Sequence, residues 1–286
     1  MITVTGAGGK TGQAVIRALA RRGARVRALV HRAEQAAAVM AMGAGEAVAG
    51  DMRDIGTLER ALDGARSVYH ICPNVHPEEL GIGGTVIEAA RLAGIRHLVY
   101  HSVLHPQAEA MPHHWQKLRV EEQLFASGLP YTILQPAAYM QNVLAHRERM
   151  LNEGVYPVPY AVETRLGMVD LEDVAEAAAA VLCEAGHEGA IYELAGGEAL
   201  TQDEVAEIVA AHLGRPVRAR AVPHDEWARQ ARASGLGDYQ VDTLLKMFVY
   251  YERHGFWGNP RVLHMLLGRA PATFAGFLTR ADVWRE

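Results

Sequence analysis

Apolar residues along the first half of the chain come in short β-branched runs, and between the runs they recur at helical spacing. The runs at 1–5, 25–30, 44–50, 67–72, His97–His101 and 131–135 predict six strands. Between them, 10–22 reads as a helix with Ala14, Ile16, Ala18 and Leu19 on its apolar side. Further helices are expected at 33–42, Ile55–Leu62 and 116–126, with 83–93 lying in a long helix ended by Gly94. Strands separated regularly by helices imply a parallel sheet covered on both faces. The expected fold class is therefore α/β, a doubly wound parallel-sheet Rossmann domain, with a smaller α+β C-terminal lobe.

The rhythm changes near residue 150. Residues 154–159 are rich in Tyr, Pro and Val and read as a loop or short strand, and an Ala-rich helix spans 170–184. A strand follows at Ala190–Leu194. Thr201 then opens a capping pattern with Glu204 three residues on, before a helix that stops at Gly214 and Pro216. A strand at 217–222 and a helix at 242–254 complete the reading. No repeat, low-complexity tract or clean linker occurs. The expected division is a dinucleotide-binding domain over 1–150, with 167–185 returning to it, and a substrate lobe formed by 151–166 and 186–286.

Between the first strand and the first helix lies Gly6-Ala7-Gly8-Gly9-Lys10-Thr11-Gly12. Gly6 permits a tight turn, Gly9 lets backbone N–H groups approach a pyrophosphate, and Gly12 allows close helix–sheet packing. The helix start supplies partial positive charge for phosphates. The pattern alone is weak; its position makes it a nucleotide site. At the end of the second strand an NAD site carries an acidic residue, yet here His31-Arg32 stands, with Glu34 close by. An arginine fork suits a 2′-phosphate, and Lys10 adds a second charge. NADP(H) is the favoured cofactor and NAD(H) the lesser alternative. By position, Asp51 and Met52 border the adenine, while Cys72 and Pro73 lie beside the middle of the cofactor.

Net charge is −5 and the isoelectric point near 6.3, which argues against a general nucleic-acid binder. The two cysteines, Cys72 and Cys183, imply no disulfide framework. With no signal-peptide pattern and no apolar run of membrane length, the expected location is the cytoplasm, with no membrane partner.

Further stretches carry a resemblance. Thr5-Gly6-x-x-Gly9-x-x-Gly12 is similar to atypical or extended short-chain dehydrogenases. Leu129–Pro136, Tyr139-Met140-Gln141-Asn142, Val169–Ala175 and Gly186–Gly196 resemble the NmrA-like branch, especially bacterial quinone-reductase and triphenylmethane-reductase-like members. The resemblance spans essentially the whole chain. It implies a Rossmann domain, a small C-terminal lobe and a substrate cleft between them. It also implies one of two roles: an NADPH-dependent reductase, or a non-catalytic sensor of cofactor redox state acting through a protein partner.

Short-chain dehydrogenases usually carry Tyr-x-x-x-Lys on one helical face. Lys117 matches the lysine, a ribose contact, but His113 stands at the tyrosine position. Three readings follow: His113 is the acid; an extended acceptor such as a quinone needs no strong acid; or the site only senses cofactor. The resemblance also places Ser102 by the nicotinamide. By position, Pro136 at the end of the sixth strand walls the nicotinamide pocket, and Tyr139 and Asn142 lie one helical turn apart, either at that pocket or as a packed and an exposed helical residue. The histidines His101, His105, His113 and His114 show no recognised zinc-ligand spacing, so no metal is expected.

In the C-terminal part, Trp227, Met247, Phe248, Tyr250, Tyr251, Phe256 and Trp257 suit a planar apolar ligand, although residues at helical spacing are more often core. The expected function is an NADPH-dependent reductase passing hydride to a small aromatic or quinone-like substrate, working as a monomer or homodimer.

Overall fold

A computed structural model describes residues 1–280. The chain alternates β1 (Ile2–Val4), α1 (Lys10–Arg21), β2 (Val26–Val30), α2 (Ala36–Ala41), β3 (Glu46–Ala49), α3 (Ile55–Leu62), β4 (Ser67–His70), α4 (Glu79–Leu92), β5 (His97–His101), α5 (Pro112–Ala126) and β6 (Tyr131–Pro136). It continues through β7 (Ala138–Tyr139), α6 (Arg147–Glu153), β8 (Val155–Val158), β9 (Leu166–Val169), α7 (Leu171–Cys183), β10 (Ala190–Leu194), β11 (Ala199–Leu200), α8 (Gln202–Leu213) and β12 (Arg218–Ala221). Four helices follow: α9 (His224–Ala233), α10 (Asp238–His254), α11 (Arg261–Leu267) and α12 (Phe274–Arg280).

The main sheet has seven strands in the order β10-β6-β5-β4-β1-β2-β3, and β1 to β6 are joined by parallel pairings. Strands β2, β4 and β5 are buried along their whole length, as a sheet covered on both faces requires. Strand order reverses between β1 and β4. Right-handed crossovers then put α1 and α2 on one face and α3, α4 and α5 on the other. Packing agrees: Leu58 and Leu62 of α3, Val86 and Ala90 of α4, and Val120 and Leu124 of α5 share one core with Val68, Leu98 and Ile133. On the opposite face α7 adjoins α1 through Arg17–Glu172 at 3.0 Å and Arg22–Glu184 at 2.7 Å.

One close approach positions the site. A Cβ on Gly83 of α4 would lie 2.6 Å from a methyl of Val120 on α5, so the two helices touch where α4 has no side chain. One turn back on each helix stand Glu79 and Lys117.

The chain divides into two compact units. The first comprises 1–108, 113–136 and 172–192; the second comprises 109–112, 137–171 and 193–286, whose last residues, 281–286, lie outside the described residues. This differs from the expected division at 109–112, 137–150, 167–171 and 186–192. Residues 137–150 fall in the second unit, where β7 pairs with β9. The strand Ala190–Leu194, expected in the lobe, forms the edge of the seven-stranded sheet beside β6.

Within the second unit, β11, β9 and β7 form one small sheet and β12 and β8 another. Helix α8 begins with the expected capping box: Thr201 accepts from the N–H of Glu204, whose carboxylate accepts from the N–H of Thr201 at 2.7 Å. Val205, Val209, Phe274 and Phe277 build its core.

Element ends differ from expectation where local signals conflict. The 33–42 stretch splits into a 3-10 turn at Ala33–Gln35 and the short α2. Helix α5 starts at Pro112, four residues ahead of the expected start, and the long helix expected around 83–93 is α4, which starts at Glu79. Helix α9, absent from the sequence reading, is rich in charged and polar residues and buries only Ala228 and Ala231.

Candidate functional site

Every parallel strand from β1 to β6 ends at the same edge of the sheet, and the turns after them carry the expected cofactor residues. In open α/β sheets, ligands sit outside the carboxyl ends of the strands where the order reverses. Here that place lies between β1 and β4, and the glycine loop occupies it.

Gly6 has φ +57°, and a Cβ on it would meet the carbonyl oxygen of Ile71 at 2.7 Å, so both its turn and its neighbour require glycine. At Gly12 a Cβ would meet the Gly6 oxygen at 2.5 Å and the Ala7 Cα at 2.7 Å, which is the close packing expected of the third glycine. Gly9, the N-cap of α1, has only the Gly6 oxygen near a would-be Cβ, at 3.4 Å. The space over Gly9 is therefore open. Lys10, Thr11 and Gly12 form the first turn of the 12-residue α1, Lys10 exposed and Thr11 buried. A helix start of this kind presents N–H groups to an anion. The cradle fits the pyrophosphate of a dinucleotide.

Arg32 follows β2 and is exposed. Its backbone N–H donates to Gln35 Oε1 at 3.0 Å, and the Gln35 side chain lies where a Cβ on Gly8 would sit. The Arg32 guanidinium forms no ion pair among the described residues. Asp51 differs: Arg53 clamps its carboxylate at 2.7 and 3.0 Å and holds it down to about 2. Arg53 in turn reaches Glu78 at 2.9 Å. Met52 packs on the core beneath, Pro73 is exposed, and Cys72 is buried. Burial pushes the Cys72 thiol far up, which makes it inert.

Past β5 the structure gathers a buried polar group around Lys117. The Lys117 ammonium lies 2.9 Å from Glu79 Oε1 and 3.4 Å from the carbonyl oxygen of His101. The Tyr100 hydroxyl also donates to Glu79 Oε1, at 2.9 Å. Lys117 and Glu79 are both largely shielded, their side chains 13% and 4% exposed. Burial works to raise the Glu79 carboxyl, but Lys117 and Tyr100 outweigh it and hold Glu79 below its ordinary value.

Ser102 is buried and donates to Glu121, which also accepts from Gln135 Nε2 at 3.0 Å. His101 bonds through Nδ1 to the Tyr69 hydroxyl, and His70 Nδ1 lies 2.9 Å from Thr5 Oγ1. Burial, reinforced by Lys117, pushes His101 down to about 3 and His113 to about 4. His70 also falls to about 4 through burial, against the pull of Glu79. These rings are neutral near pH 7.

His113 sits on α5 one turn before Lys117, edge-on to His114 with ring centroids 4.4 Å apart, and its buried Nδ1 has no hydrogen-bond partner. Pro136 is buried at the end of β6, where its carbonyl accepts from the Leu104 N–H at 2.9 Å. Tyr139 belongs to the second unit, paired in register with Val169, and Asn142 is exposed in the 3-10 segment Met140–His146. Glu79 is the residue that sequence reasoning missed. It stands in the first turn of α4.

The aromatic residues of the second unit pack on one another. Trp227 lies 4.7 Å from Phe248, Tyr160 5.9 Å from Phe248, and Tyr251 4.6 Å from Phe256, centroid to centroid. Trp257 is exposed. No helix among the described residues is long and apolar enough to cross a membrane.

Comparison with known proteins places this geometry. The chain is 29% identical over 279 residues to an NAD(P)H azoreductase of Xenophilus azovorans, covering 97% of this chain and 96% of that protein. It is 30% identical over 277 residues to quinone oxidoreductase 2 of Escherichia coli, covering 96% of each. A crystal structure of an NADPH-dependent quinone oxidoreductase from Escherichia coli, complexed with NADPH, superposes with a TM-score of 0.86 at 29% identity, covering 98% of this chain and 99% of that one. The NmrA-like family model matches residues 1–272, and the chain belongs to that family.

Proposed function

We propose that this protein is an NADPH-dependent reductase that passes hydride to a conjugated small-molecule acceptor such as a quinone. The observation that carries the reading is the glycine cradle at the β1–β4 reversal with the Arg32 guanidinium, unpaired among the described residues, at the end of β2. Named relatives along nearly the whole chain are reductases using NAD(P)H or acting on quinones, which supports the same reading.

The bound dinucleotide supplies the hydride; the chain supplies binding, orientation and a defined electrostatic setting. Gly6, Gly9 and Gly12 let the backbone close on the pyrophosphate, and the start of α1 offsets its charge. Arg32 and Lys10 answer a 2′-phosphate, Asp51 and Met52 border the adenine, and Cys72 and Pro73 flank the middle of the cofactor. Lys117 holds the nicotinamide-side ribose, near Ser102 and Pro136.

No side chain here matches the proton-donating tyrosine of related dehydrogenases. A neutral His113, pushed down to about 4 by burial and Lys117, carries no imidazolium proton at neutral pH. This favours acceptors that spread the negative charge left by hydride transfer and take their proton from solvent. Anaerobic mixing of the protein with NADPH and a panel of quinones, followed by NADPH absorbance, tests the reading. Consumption dependent on acceptor supports it; tight NADPH binding with no consumption across the panel contradicts it and favours a cofactor-sensing role.

A further inference from the structure

We propose that Glu79 is a positioning residue for Lys117, fixing the ammonium in place and in its charged form so that one of its N–H groups is presented to the cofactor. The inference rests on the dinucleotide-binding reading above and adds a residue to it.

Three features of the geometry point this way. First, the pair is buried and the contact is short, 2.9 Å between Lys117 Nζ and Glu79 Oε1. An uncompensated charge at such a place is costly, so each member keeps the other ionised. Second, Glu79 is itself held. The Tyr100 hydroxyl donates to the same oxygen at 2.9 Å, and the carboxylate stands in the first turn of α4, where the helix dipole favours an anion. Third, Lys117 has three N–H donors, and the protein engages two, on Glu79 and on the His101 carbonyl. The third makes no hydrogen bond among the described residues, although the ammonium also lies 5.5 Å from the centre of the Tyr100 ring.

The backbone is arranged to make this contact. α4 and α5 meet at Gly83 and Val120, where any side chain on residue 83 would overlap Val120. Glu79 is four residues before Gly83 and Lys117 three before Val120, so both project from the turns adjoining the contact.

The groups facing the pair lie on four segments. From β4 and the turn after it come His70 and Cys72; from β5, Tyr100 and His101; from α5 itself, His113, His114 and Glu121. The histidines are held neutral by burial, so Glu79 is the charge that compensates Lys117 directly.

The chain has only three lysines, Lys10, Lys117 and Lys246, which makes a direct test practical. Protein labelled with 13C at lysine Cε gives three resonances to follow by NMR. In Glu79→Gln the Lys117 resonance is expected to move from its wild-type position and to lose most of its response to added NADPH. Glu79→Asp, which keeps the charge one methylene further back, moves it less and carries the test if the glutamine variant does not fold. Lys246, exposed in α10 and paired with Asp242, reports intact folding by staying unchanged. Addition of NADPH to the wild type should shift the Lys117 resonance and leave Lys246 in place.

A Lys117 resonance that keeps its wild-type position and its NADPH response in both variants overturns the inference while leaving the reductase reading intact. NADPH that binds without moving Lys117 also overturns it. Absence of NADPH binding to the wild type removes the dinucleotide reading itself, and the role of Glu79 with it.

Discussion

The hydroxyl of Ser102 donates to the carboxylate of Glu121, one turn beyond Lys117 on α5. With its proton committed there, Ser102 faces any ligand as an acceptor. It suits an amide NH2 better than a developing oxyanion. Lys117 and Glu121, four residues apart on one helical face, thus serve two separate buried contacts.

Glu121 gives a pH-dependent stability prediction. Burial raises its carboxyl against the opposing hydrogen bonds from Ser102 and Gln135. A carboxyl raised in the folded state contributes stability that is present below its unfolded value and lost as pH rises through the folded value. Glu121→Gln should therefore remove part of the wild-type loss on going from acid to neutral pH. Urea denaturation of both proteins at several pH values measures it; parallel curves for the two proteins contradict it.

Arg32→Ala should weaken NADPH binding by about 10- to 100-fold, the loss of a charge-assisted contact of about 1.5–3 kcal/mol, while NADH binding changes little. Fluorescence titration with both nucleotides checks this. Equal weakening of the two would mean that Arg32 supports the loop rather than reading the phosphate.

The glycine loop separates stability from affinity. Gly12→Ala drives a methyl into the Gly6 carbonyl and should cost about 1–3 kcal/mol of stability. Gly9→Ala meets nothing closer than 3.4 Å and has φ −84°, so its melting temperature should stay near the wild type while dinucleotide binding falls. Thermal melts paired with NADPH titrations decide the matter. A Gly9→Ala protein that binds NADPH normally would move the pyrophosphate away from this loop.

His113→Ala should keep quinone-dependent turnover within about tenfold of wild type, because a buried ring held at about 4 is not the proton source at neutral pH. A general acid in that place would show a loss of about 100- to 10,000-fold. The rate profile between about pH 6 and 8 should also be the same in variant and wild type.

The sheet was legible because its strands are short, β-branched and separated by amphipathic helices; Ile55–Leu62, His97–His101 and Ala190–Leu194 have the bounds their pattern predicts. The glycine loop was legible because its spacing reflects backbone sterics that the structure reproduces at Gly6 and Gly12. Glu79 was not. Gly81, Gly83 and Gly84 weaken the helical signal of α4, and the reason for Gly83, its contact with Val120, is tertiary. A glutamate before such a stretch looks solvated until α5 brings a lysine against it. Helix α9 was missed for a different reason: charged and polar residues fill most of it, and only Ala228 and Ala231 are buried.

The most direct test of the account is an anaerobic single turnover of the wild-type protein with a quinone acceptor, using NADPH and NADPH deuterated at the transferred C4 position. The account predicts acceptor-dependent oxidation that slows with the deuterated cofactor, because the hydride leaves within this site. NADPH that stays bound and reduced whatever acceptor is supplied would contradict it.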